Sequence, residues 1–196
     1  MLKRVLYALS ASALMLALPV RAADVTRTDL SRNSAEASFS SFHGCEDVVV
    51  GVSVTEESLK GSEEASSEVA VFGSIVDVCE FGTSSFFYGT APLAPGEYAQ
   101  DGVEGATLVK TMAVDGYEIQ LSLAWDGNGE VVVERSKIKE DGDAVRARGH
   151  EETTTRSADA SGSFVVNGLD RIDGGSIANA GLGLYRRAAT DIEFTP

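Results

Sequence analysis

Residues 106–125 read ATLVKTMAVDGYEIQLSLAW. Two runs of alternating apolar residues meet at Asp115-Gly116, and Asp-Gly in that setting signals a two-residue hairpin, because both turn positions need a positive φ. In the second run Tyr117, Ile119, Leu121, Leu123 and Trp125 all carry odd numbers. Side chains alternate across a strand with period two, so these five share one face and Glu118, Gln120 and Ser122 take the other. A strand that is dry on one side and wet on the other belongs to an antiparallel sheet packed on a second layer.

The same period extends along the chain. Val48, Val50, Val52 and Val54 alternate with Val49, Gly51, Ser53 and Thr55, and a second run covers 69–78. Further strands are predicted over 84–90, 130–139, 144–155, 161–167 and 177–186, separated by Gly-, Asp- and Pro-containing turns. Asp126-Gly-Asn-Gly129 reads as one such turn. Short strands with hairpin-length links and no helical period predict an all-β antiparallel β-sandwich, with a soluble β-barrel as the alternative.

Cys45 and Cys79 sit just outside the 48–55 and 69–78 runs. An even cysteine count in an exported chain implies pairing, so one disulfide, Cys45 to Cys79, is expected, contributing roughly 3 to 4 kcal/mol. If the two runs form a hairpin with the cysteines directly opposed, paired numbers sum to 124. That register sets Val48 against Val76 and Val52 against Phe72, and turns Ala70, Phe72 and Val76 toward the core with the even-numbered valines.

Export is read from the beginning of the chain. Lys3 and Arg4 precede an apolar run from Val5 to Val20, and Val20 and Ala22 suit a cleavage site, so residues 1–22 are expected to be a signal peptide. Residues 23–32 are polar and aperiodic and read as a flexible arm, and 33–196 as one domain. The expected location is secreted or periplasmic, with no membrane-spanning helix in the mature chain. Residues 23–196 hold 13 Lys and Arg against 30 Asp and Glu, a net charge of −17. Such an excess opposes nucleic acid and anionic lipid surfaces and favours solubility.

No catalytic constellation stands out. His43 and His150, the two histidines, lack the further ligands that zinc needs once both cysteines are bonded. Asp126, Asn128 and Glu130 stand at alternate positions and suit calcium, a hard cation that takes carboxylates and turn carbonyls; Asp141 and Asp143 repeat the spacing. Tight-turn chemistry explains the same residues more directly, since Asp-Gly and Asn-Gly pairs are what hairpin turns require. Ser136-x-x-Lys139 lacks the companion motifs of a serine nucleophile and reads as a solvated face. Trp125 reads as core before it reads as a sugar platform, and the basic groups 135–139, 146–148 and 186–187 read as partners in cross-strand ion pairs. The leading expectation is therefore a non-enzymatic binding module for a partner protein or a glycan. Its alternatives are an exported hydrolase using loop carboxylates, and a small outer-membrane β-barrel.

Cys45 before a valine-rich strand, Asp77-Val78-Cys79, the stretch 121–129 and Ala160-Ser161-Gly162 together resemble a group of exported bacterial all-β proteins to which no activity is assigned. The resemblance implies export and a β fold and transfers no site residue.

Overall fold

The computed structural model describes residues 23–60, 65–80, 83–141, 145–172 and 176–194. The signal peptide expected over 1–22 lies outside them, as does Asp143. Among the described residues the fold is all-β, with no helix, and hence none long and apolar enough to cross a membrane. The strands are β1 (Ala23–His43), β2 (Glu46–Leu59), β3 (Ala65–Asp77), β4 (Ser84–Pro92), β5 (Tyr98–Asp101), β6 (Gly105–Val114), β7 (Tyr117–Gly127), β8 (Val132–Asp141), β9 (Val145–Val166), β10 (Leu169–Asp170) and β11 (Ser176–Phe194). Their hydrogen-bonded order is β4-β3-β2-β1-β11-β9-β7-β6-β5, every named pair antiparallel.

The long strand β9 organises this path. Its first half pairs with β11 on one side and β8 on the other, and its second half pairs with β7. The sheet thereby folds over, and β5–β7 lie against β1–β4 and β11. Trp125 on β7 is buried and donates its Nε1–H to the Glu36 carbonyl of β1 at 2.8 Å, and Gln100 on β5 donates to the Gly183 carbonyl of β11 at 3.0 Å. Between the layers, Phe87 of β4 meets Tyr117 at 5.5 Å and Phe164 at 6.3 Å between ring centroids. The ends of the path, β4 and β5, do not pair, so the described sheet is a sandwich and not a closed barrel. That removes the soluble-barrel alternative.

The strongest local signals hold. Asp115 and Gly116 have φ of 51° and 85° and join β6 to β7, and Ile119, Leu121, Leu123 and Trp125 are all buried. Cys45 and Cys79 are bonded, with Cα atoms 5.4 Å apart.

Three expectations are corrected. First, β2 and β3 pair on a sum of 123, with Val48 opposite Ile75 and Val52 opposite Val71. The cysteines lie in turns beyond the last ladder pair, Glu46 and Asp77, Cys45 by one residue and Cys79 by two, where a disulfide needs proximity but no shared register. The shift turns Val69, Val71 and Ile75 into the core and puts Phe72 outside, as a one-residue slip must. Second, residues 23–32 are no loose arm: they form the first half of β1 and pair with β11. Backbone hydrogen bonding needs no apolar alternation, so a polar segment can join a ladder that its side chains do not announce. Third, 126–129 is not a reversal. β7 and β8 run in the same direction along β9, and the carbonyl of Ser157 accepts the amides of Asn128 and Gly129 at a bulge between them.

Candidate functional site

The three residues expected to hold calcium lie at the end of β7 and in the segment after it. Asp126 is exposed on β7 opposite Asp159, while Asn128 and Glu130 are exposed in the bulge that follows. Cationic demand at that bulge is met by Arg156, whose Nε donates to the Gly129 carbonyl at 2.9 Å and whose other arm pairs with Glu104. Among the described residues the ligand atoms that converge are those of Cys45, Asp77 and Cys79, and there the sulfurs are bonded to each other. Asp77 has a turn role instead: its carboxylate accepts the amides of Cys79 and Glu80 at 2.9 and 3.0 Å.

Other candidates separate. His43 ends β1, whereas His150 lies in register with Asp29, 14 residues back along that strand. Ser136 and Lys139 differ by an odd number on β8 and so take opposite faces; the Ser136 hydroxyl donates to Glu151. Three acids titrate below their ordinary range, each held there first by a hydrogen bond from a cation: Glu97 by Lys110, Asp141 by Arg148 and Glu152 by Arg135. A proton-donating acid for hydrolysis would be shifted the other way. Burial pushes the Tyr98 hydroxyl upward, and it donates to Gln100 within the core edge.

The feature that the structure does assemble is an aromatic face on the outside of β2, β3 and β4. Phe72 stands between Gly51 on β2 and Tyr88 on β4, directly opposite both, and Phe86 is next to Tyr88 on the same side. Exposures are 45% for Phe72, 69% for Phe86, 66% for Tyr88 and 40% for Val49. Because Gly51 has no Cβ, the tip of the Phe72 ring occupies the space that one would fill, so the ring lies across the neighbouring strand instead of standing off it. These side chains, with Ser74 and Asp115, line a shallow cleft of about 450 Å³. Asp115 also accepts the Tyr88 amide at 3.1 Å and covers part of the open edge of β4.

Sequence reading placed Phe86 and Tyr88 on one face correctly but turned Phe72 inward through the register error. The signal that could have corrected it is the pair of glycines inside strands, Gly51 and Gly73, each lying beneath an aromatic ring of the adjacent strand, Phe72 outside and Phe87 inside.

No family model matches this chain, and no curated protein is similar to it at a significant level. A solved structure of a Nitrosomonas europaea protein provisionally named AttH is similar in shape over 81% of this chain and 50% of its own, with a TM-score of 0.31 and 12% identity. The chain thus spans half the length of that neighbour, and at this score nothing about function passes from it.

Proposed function

We propose that this protein is an exported, non-enzymatic binding module that holds a neutral glycan chain against the outer face of β3 and β4. The observation that carries the reading is Phe72 laid across Gly51 and flanked by Tyr88 and Phe86, an exposed aromatic row on a rigid sheet. The C–H-rich faces of sugar rings pack on aromatic rings, and their hydroxyls need a few polar groups at the rim, here Ser74 and Asp115. A neutral chain avoids the repulsion that the carboxylate of Asp115, at the rim of this row, imposes on an acidic one. The leader-like residues 1–22 and the disulfide support export.

Affinity electrophoresis against cellulose-, xylan-, glucan- and dextran-type neutral polymers tests this. Retardation by at least one polymer is expected, and Phe72→Ala should weaken it by about tenfold or more, near 1.4 kcal/mol. The variant's melting temperature should move little, because the ring is half exposed. Absence of retardation by every neutral polymer overturns the reading. So does a wild-type dimer that Phe72→Ala dissociates, which would make the aromatic row a self-association surface.

A further inference from the structure

Beyond the core, β1, β11, β9 and β8 continue as a four-stranded ribbon over 25–31, 186–192, 146–152 and 135–141. Directly opposed residues share a face, so the ladder pairs spell out what each side carries. One side reads, strand by strand, Ser31–Arg186–Glu152–Arg135, then Asp29–Ala188–His150–Lys137, then Arg27–Thr190–Arg148–Lys139, and finally Val25–Ile192–Arg146–Asp141. The reverse side carries Arg32 and Arg187 with Glu134, Glu140, Glu151 and Asp191.

This sorting is far from even. Of the 13 Lys and Arg in residues 23–196, seven lie on the first face and are exposed, whereas among the described acids three lie there, Asp141 exposed and Asp29 and Glu152 half-buried. Those three are occupied locally. Glu152 takes Arg135 at 2.6 Å, Asp141 takes Arg148 and Lys139, and Asp29 takes Arg27 at 3.6 Å and Lys60 at 3.9 Å. Among the described residues the face therefore carries more cations than carboxylates, a local positive excess on a strongly negative protein. Where the ribbon meets the body, a cleft of about 790 Å³ opens over Ser31 and Ala188, lined by Lys60, His150 and Arg186 and by the ion-paired Asp29 and Glu152. The small Ala188 leaves the floor low between them.

We infer that this basic ribbon face is a second binding site, independent of the aromatic row, and that it takes a linear anionic polysaccharide. Same-face residues recur about every 7 Å along a strand and strands lie about 4.8 Å apart, so the cations form a grid that a chain of regularly spaced sulfates or carboxylates can follow. A linear chain touches the ribbon alone. A membrane surface or a duplex, being broader than the ribbon, would also meet the acidic body, at a repulsive cost. Arginine, which supplies five of the seven cations, bonds planar oxyanions with two parallel donors.

Heparin, a sulfated chain, and polygalacturonate, a carboxylated one, are titrated against the protein at about 0.02 and 0.3 M salt, on either side of the point where screening becomes strong. Binding of at least one is expected at low salt, weakened about tenfold or more at high salt. The triple variant Lys137→Gln, Lys139→Gln, Arg186→Gln should lose about tenfold at low salt with unchanged melting, while Arg32→Gln, on the reverse face, should not. Phe72→Ala should leave this binding intact, so the two sites fail separately. The inference is overturned if neither polymer binds at low salt, if the triple variant binds as wild type, or if duplex DNA or phosphatidylglycerol vesicles bind more tightly than both chains.

Discussion

Replacing Gly162 with alanine is expected to destabilise the protein by about 3 to 5 kcal/mol, a drop of about 10 °C or more in melting temperature for a domain of this size. Gly162 has φ of 129°, a region that residues with a Cβ rarely adopt, and it sits mid-strand in β9 opposite Leu123. An added Cβ would drive into the Ser122 carbonyl, 2.9 Å from its carbon and 3.0 Å from the Leu123 Cα. Those are backbone atoms of the central strand β7, so no side chain can rotate away. Gly168 provides the control. Its φ is 82°, but nothing lies within 4 Å of the added Cβ, and Gly168→Ala should cost only the left-handed strain of about 1 to 2 kcal/mol. Equal melts for the two variants would show that β9 does not press against β7 at this point.

Removing both cysteines, as Cys45→Ala with Cys79→Ala, is expected to cost about 4 kcal/mol. The bond closes a loop of 34 residues, and the chain-entropy model scales its contribution with the logarithm of that length. The variant should still fold, because the β2–β3 ladder from Glu46–Asp77 to Ser58–Ala65 does not depend on the sulfurs. Denaturant unfolding with and without reductant checks it. Wild type under reducing conditions should match the double variant, and a wild-type curve indifferent to reductant would mean that the bond contributes nothing.

Much of the scaffold was legible in individual residues. Asp115-Gly116 announced its hairpin because positive φ at two successive positions is a local demand that few residue pairs meet. The odd-numbered row from Tyr117 to Trp125 announced a buried face because it is long and unbroken. Asn167-Gly168, with φ of 50° and 82°, makes a turn of the same kind between β9 and β10, but the strand after it is two residues long and leaves no alternating run to mark a hairpin. β1 was underestimated for the opposite reason: its outer half is polar, and what holds it is backbone pairing to β11.

The aromatic row and the basic face were legible only as parts. Phe86, Tyr88 and the three basic groups were each visible, but whether they stand together depends on which strands are neighbours and in what register. Alternation, turn chemistry, charge balance and cysteine pairing are properties of short stretches or of composition, and so a linear reading reaches the all-β class, the disulfide and the acidity. Register, the change of partner along β9, and the segregation of seven cations to one side arise from pairings between residues up to more than a hundred positions apart. One residue of slip between two strands exchanges inside for outside, and burial of the competing valines in the assembled sandwich is what selects between the two.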